Sequence, residues 1–320
     1  MQIHDNRGED TVKLATRINS FLPHFDHDVL KVLPEFSRIG LTHVDLNYPE
    51  HTEGISPEQM KAALDEAGLK ANGVALRFRG DFYLNGELGN ADPEVSAAAL
   101  QLCKDACDYC RAIGGRVVTI WLGFDGFDYS FQIAYNEVWE RQRDAFRAVC
   151  DYAPDLKISI EYKPFEERSY AFIDSFGTVF AMIQDVNRPN LGATLDFCHM
   201  LMKHDNPAMA ADILGARGLL YGIHLNDGYG RKDDGLMIGT SNFAKTLEFL
   251  YYVRKHGYDE AIYFDTFPIR EQGIREAECN VAMVNQLEQI IDKLGMDNIE
   301  EVVAANDGIA VSKLLLDAIR

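Results

Sequence analysis

The 320-residue chain sets 50 acidic side chains against 31 basic ones, and the resulting formal charge of -19 argues against nucleic acid or an anionic membrane as a partner. No run of about 18 apolar residues is present to cross a membrane, and the opening MQIHDNRGEDTVK lacks the basic-then-apolar layout of a secretion signal, so a cytoplasmic protein is expected. Six cysteines scattered through apolar runs do not make the disulfide framework of a small secreted domain and read as free thiols.

Eight apolar runs rich in β-branched residues follow in order, each a predicted strand: KLATRINSF, THVDLN, KANGVALRF, RVVTIWL, KISIEY, LGATLD, LLYGIHL and AIYFDTF. Helix-length segments such as HDVLKVLPEFSRIG, SPEQMKAALDEAG and SNFAKTLEFLYYVRKHG separate them, and several close on the glycine expected of a C-cap. Eight such units predict an α/β fold, a (β/α)8 TIM barrel that takes residues 1–320 as one domain, with a helical tail at about 297–320. In that tail VVAANDGIAVSKLLLDAI reads as one more amphipathic helix. A doubly wound sheet is the competing architecture, but INSFLPHFDH follows the first strand where a dinucleotide-binding version would carry a Gly-rich phosphate loop.

In a parallel barrel the C-terminal strand ends share one mouth. Four consecutive strands here end on a metal-ligating side chain: Glu161 in ISIEYKP, Asp196 in ATLDFCH, His224 in YGIHLND and Asp265 in IYFDTFP. One such ending arises by chance; four in succession argue for a shared site. Three carboxylates and one imidazole suit a divalent cation, Mn2+ first, with Mg2+, Co2+ or Zn2+ also accommodated. Lys163 shares a strand face with Glu161 and would project an ammonium toward a substrate, the competing role being an ion pair with Glu166 or Glu167. His199, three residues after Asp196, can reach a second metal or a substrate hydroxyl. Asp233 and Asp234, in DGYGRKDDGL, are further candidates for that second metal.

Trp121 closes the fourth strand, and with Phe124, Phe127, Tyr129 and Phe131 it offers aromatic faces to a sugar or to the core. After the first three strands, Phe21, His24, Asn47, His51, Arg77, Phe78, Arg79 and Phe82 are candidate substrate contacts; Arg77 or Arg79 would suit a phosphate or serve as a surface cation offsetting nearby acids, and the lack of a phosphate cradle favours a free sugar. Cys103, Cys107 and Cys110 match the spacing of a radical-enzyme cluster motif. Their positions on a helical run, however, share the face a helix turns to its core.

On IWLGFDGFDYSFQ, IEYKP, LDFCHM and IHLND followed by RKDDGLMIGT, the chain resembles the xylose isomerase and L-rhamnose isomerase group of barrels, over strands four to eight. The resemblance implies an aldose-ketose isomerase working by a metal-assisted 1,2-hydride shift on rhamnose, xylose, apiose or another aldose. It makes Glu161, Asp196, His224 and Asp265 ligands of a first metal, and Asp196, His199 and Asp233 ligands of a second. Glu161, Lys163 and Asp265 fall to the catalytic step, while Trp121, Lys163, His199, Asn47 and His51 surround the substrate. The partner expected is a small sugar, and the protein is expected to be a homo-oligomer, dimer or tetramer.

Two departures stand out. Gly235 occupies the place of a second loop acid, with Asp234 beside it, and Asn47 ends the second strand near where the group has an active-site histidine. A ketose 3-epimerase of the same fold, passing a proton between two metal-bound carboxylates, is the alternative, and its relatives share the Asp196-x-x-His199 spacing. Lys163, and an aspartate at 265 in place of a glutamate, favour the isomerase. An abasic-site phosphodiesterase is opposed by the acidic charge, and a sugar-binding barrel without catalysis is the non-enzymatic alternative.

Overall fold

The computed structural model describes residues 12–320; residues 1–11, most of the stretch read for a secretion signal, lie outside them. The predicted barrel strands are β1 (Leu14–Thr16), β2 (His43–Tyr48), β3 (Lys70–Leu76), β4 (Val117–Trp121), β5 (Lys157–Glu161), β6 (Leu191–Asp196), β7 (Leu220–Leu225) and β8 (Ile262–Phe264). They pair in parallel around one sheet in the order β1-β8-β7-β6-β5-β4-β3-β2. The remaining seam, between β1 and β2, is laced by Thr42, whose N–H donates to the Leu14 carbonyl at 3.0 Å and whose hydroxyl accepts from the Leu14 N–H at 3.1 Å. The result is a TIM barrel closed at all but that seam, with helices between the strands.

The period-two alternation of a strand explains what each side chain faces. In β5 the apolar Ile158 and Ile160 are buried, whereas Ser159 binds Thr194 of β6 through hydroxyls 2.6 Å apart and Thr194 meets Thr119 of β4 at 3.3 Å. That hydroxyl layer lies inside the barrel. Two residues further along the same strands come Trp121, Glu161 and Asp196, so the inward faces rise from a hydroxyl layer to a charged one.

Cys103, Cys107 and Cys110 are buried in the helix Pro93–Ile113, and the Cys110 thiol donates to the Val117 carbonyl at 3.4 Å. Burial pushes the Cys107 thiol up to about 12 and raises the other two as well, so these are core thiols held away from the thiolate form a cluster needs. The tail differs from the single helix expected. After the helix Gly273–Leu294 come two more, Met296–Ala305 and Gly308–Ile319, broken where Asn306 takes a left-handed φ of 48° and Asp307 caps the last helix by accepting the Ile309 N–H at 3.0 Å. Among the described residues no helix is long and apolar enough to cross a membrane.

Candidate metal centre and active site

Strand register assembles the site. Trp121 pairs with Glu161, and Asp196 pairs with His224, which in turn pairs with Tyr263. One ligand atom from each of Glu161, Asp196, His224 and Asp265 lies within 4.8 Å of all the others, and all four residues are buried. His224 Nδ1 stands 3.0 Å from Glu161 Oε1, and the Tyr263 ring lies 4.9 Å from the imidazole. Asn226 fixes the arrangement from beside His224: its amide donates to Asp196 Oδ2 and to the Asp265 carbonyl, both at 3.0 Å, while its oxygen accepts the Cys198 N–H at 2.8 Å. Asp196 also caps the short helix Phe197–Lys203 by accepting the His199 N–H at 2.9 Å, which is why a histidine three residues on comes back to the same carboxylate.

The donors carry more negative charge than the protein around them neutralises. Burial, reinforced by Asp233, Asp265 and Glu161, pushes Asp196 up to about 7 despite the opposing pull of His199. Burial would also raise Glu161, but His224 draws it down to about 2; burial would lower His224, but Glu161 holds it up to about 9. Carboxylates crowded onto one imidazole in this way fit a divalent cation, which would relieve their repulsion and take the place of the proton they share.

A second group adjoins the first. His199 Nδ1 donates to the Tyr162 carbonyl at 3.0 Å, leaving Nε2 at 3.2 Å from Asp233 Oδ2. The other Asp233 oxygen, Oδ1, is buried without a hydrogen-bond partner, as an oxygen reserved for a cation would be. Lys163 lies 3.0 Å from Asp233 Oδ2 and 2.7 Å from Glu166 Oε2, so it joins the cluster and makes the expected ion pair at once. Glu166 in turn accepts the Asp233 N–H at 2.9 Å and holds a left-handed φ of 78°, a strained backbone that ties the loops after β5 and β7 together.

Asp234 stays outside this group, its carboxylate accepting the Tyr229 N–H at 2.9 Å within its own loop. Asn47 and His51 are placed together, in a network with Asn19 and Glu50. The Asn47 N–H donates to His51 Nδ1 at 3.0 Å, so Nε2 carries the proton that goes to Asn19 Oδ1 at 2.9 Å; His51 is buried with both ring nitrogens engaged. Of the aromatic candidates, Trp121 is half-buried beside the Lys163 ammonium, 5.4 Å from its ring. Phe127 instead stacks on Tyr170 at 5.0 Å in a short antiparallel ribbon (Gly126–Phe127 with Tyr170–Ala171), while Tyr129 and Phe131 are exposed. Sequence reasoning passed over Arg17, one residue beyond β1, whose guanidinium reaches Asp265 Oδ1 at 3.5 Å. It also passed over Asn226, although its spacing of two from His224 put it on the same strand face.

The profile of the xylose isomerase-like TIM barrel family matches residues 34–281. The xylose isomerase of Thermus thermophilus is 26% identical over 265 residues, covering 77% of this chain and 68% of that protein; a probable sugar isomerase of Rhizobium meliloti is 27% identical over 256 residues, covering 74% of this chain and 56% of that one. Among solved structures, a D-tagatose 3-epimerase-like protein superposes with a TM-score of 0.70 at 16% identity, over 88% of this chain and 98% of that one. A D-allulose 3-epimerase from Methylomonas sp. gives 0.70 at 18% identity, over 86% and 98%. On the extent of the profile match and the barrel just described, the chain belongs to the xylose isomerase-like TIM barrel family.

Proposed function

We propose that this chain is a divalent-metal-dependent sugar isomerase that interconverts an aldose and its ketose. The observation that carries the reading is the convergence of Glu161, Asp196, His224 and Asp265 within 4.8 Å at the mouth of the barrel. The relatives named xylose isomerase and sugar isomerase support the sugar class. A cation held by those four residues would supply Lewis acidity toward the sugar's carbonyl and neighbouring hydroxyl oxygens. Asp233, with its unpartnered oxygen, together with His199 and Asp196, supports a second cation position beside the first.

The chain's own groups do the rest. Burial alone would lower the Lys163 pKa, but Asp233 and Glu166 outweigh it and hold the ammonium charged. From there Nζ donates to O1 of the sugar as negative charge develops, while a hydrogen passes between C2 and C1. Trp121, paired with Glu161 across the strands, lays its indole against the sugar's C–H face and keeps water from the reacting carbons. Asn226 holds Asp196, and the buried His51 holds Asn47, so both act as positioning residues.

A ketose 3-epimerase is the second reading. It is favoured by the presence of two strand-end carboxylates, Glu161 and Asp265, in one cluster, the arrangement that removing and returning a proton requires. Solvent deuterium separates the two. A Mn2+-loaded enzyme that shifts hydrogen between C1 and C2 leaves the product nearly free of deuterium, whereas proton transfer at C3 incorporates it. Glu161→Gln and His224→Ala should each lose bound metal together with turnover; full metal content and full activity in either variant would overturn the assignment.

A further inference from the structure

Four cations stand where β1, β3 and β5 open into the mouth, and they are not equally matched. Lys163 has two carboxylates, and Arg79 pairs with Glu50. Arg17 has one contact with Asp265, at 3.5 Å, and its guanidinium lies 4.7 Å from the Phe267 ring. Arg77, the residue directly after β3, has no carboxylate within 4.0 Å among the described residues; the single hydrogen bond of its guanidinium there goes to the Leu76 carbonyl at 3.4 Å, and the guanidinium lies 5.9 Å from the Trp121 ring.

This is unusual within the molecule itself. Every other buried or half-buried arginine among the described residues meets a carboxylate: Arg141, Arg143, Arg147, Arg168 and Arg188 do so on the outer surface and loops, and Arg17 does so in the mouth. A guanidinium cannot shed its proton, and one partly withdrawn from water without a counter-charge is costly. Arg77 pays that cost at the opening of the site. The Arg77 N–H donates to the Tyr48 carbonyl at 2.9 Å, and the neighbouring Asn47 amide donates to Asn19 Oδ1 at 3.1 Å, two residues after Arg17, which places both arginines beside the C-terminal end of β2. With an aromatic ring near each guanidinium, the N–H donors in its plane are the ones left for a ligand, and that edge matches a carboxylate or phosphate oxygen pair.

Resting on the sugar-isomerase reading, we propose that Arg17 and Arg77 form an anion subsite and that the sugar served by this mouth carries a carboxylate or phosphate group, as a uronate or a sugar phosphate does. Trp121, with the Lys163 ammonium 5.4 Å and the Arg77 guanidinium 5.9 Å from its ring, adjoins both the reacting carbons and the anionic end. The missing Gly-rich loop is no obstacle, because it rules out only an anion site built from backbone N–H groups.

The test is calorimetric titration of the full chain loaded with Mn2+. D-glucuronate, D-galacturonate and D-ribose 5-phosphate are compared with D-glucose, D-galactose and D-ribose, in the native chain and in Arg77→Gln. At least one anionic sugar should bind about tenfold or more tightly than its neutral counterpart, with an advantage that shrinks as salt is raised and disappears in Arg77→Gln while neutral-sugar affinity holds. Whether the uronates or the phosphate shows the effect identifies the anion. No anionic preference in the native chain, or an Arg77→Gln loss equal for charged and neutral sugars, would overturn the subsite. Should Arg77→Gln fail to fold, Arg17→Gln takes its place in the same comparison, with the same outcomes deciding. Turnover is read separately: arginine-dependent anion binding without interconversion removes the isomerase reading and leaves the subsite, while turnover of neutral sugars without anionic preference does the reverse.

Discussion

The ammonium of Lys163 is gripped by Asp233 at 3.0 Å and Glu166 at 2.7 Å, and that pairing determines what its removal does. Lys163→Met leaves Glu161, Asp196, His224 and Asp265 untouched, so bound metal should be retained, while turnover should fall by roughly 100-fold, about 3 kcal/mol of lost transition-state stabilisation. Undiminished turnover in a metal-replete Lys163→Met would remove Lys163 from the chemistry and leave it an ion-pair residue. Residues of this kind were legible from sequence because each closes a strand, and strand ends in a barrel share one mouth. Arg17, Arg77's unpaired state and the Asn19–Asn47–Glu50–His51 network were not. The network closes only through Asn19, 28 residues before Asn47, Arg17 meets Asp265 from the other end of the chain, and no local pattern records whether a charge has found its counter-ion.

At the level of elements, the loop after β7 has to carry Asp233 inward while turning past the loop after β8. Gly235 makes the turn with φ +53°, and a Cβ there would fall 2.2 Å from Cδ2 of Phe267, whose N–H donates to the Gly235 carbonyl at 2.8 Å. The position two residues after Asp233 therefore cannot hold the acid that the resemblance implies there: backbone and ring together demand glycine. Gly235→Ala should destabilise the protein by about 2–4 kcal/mol, combining backbone strain with the clash, and should displace Asp233 from His199. Adding Phe267→Ala removes the ring, so the double variant should regain the clash share and keep roughly 1 kcal/mol of backbone strain, apart from the loss of the ring's own packing. Thermal unfolding of the two single variants and the double resolves these terms, and simple additivity would show that the ring does not enforce the glycine. The strands were readable because β-branched runs and period-two alternation are local. The break at Asn306 and the ribbon at 126–127 and 170–171 were not, since one turns on a single left-handed residue and the other on pairing between distant loops.

Four of the eight barrel strands are drawn together at the lower end by one buried residue, Asn72. Asn72 Nδ2 donates to both oxygens of Asp45 at 2.9 and 3.0 Å, its Oδ1 accepts the Ala261 N–H at 3.0 Å, and its carbonyl accepts the Arg116 N–H at 2.8 Å, joining β2 and β3 to the segments that enter β4 and β8. Burial raises Asp45 to about 6 despite the hydrogen bonds from Asn72. In the unfolded chain the same group releases its proton near 3.9. Between those values the native state holds a proton that the unfolded state has lost, so this contribution to stability is complete below about 4, declines as pH rises through 6, and stays lost above it. Full enclosure would make the penalty about 3 kcal/mol, and the partial solvent contact that Asp45 keeps brings the expectation to about 1–2 kcal/mol. Asp45→Asn cannot ionise; its own amide, facing Asn72, offsets part of the gain at neutral pH but is indifferent to pH. The measurable quantity is therefore the difference between variant and native unfolding free energies, which should change in the variant's favour by about 1–2 kcal/mol between pH 4 and 7 and then level off. A difference that stays flat across that range would mean the carboxyl ionises as freely inside the barrel as in water, and that the lace at its base carries no buried charge.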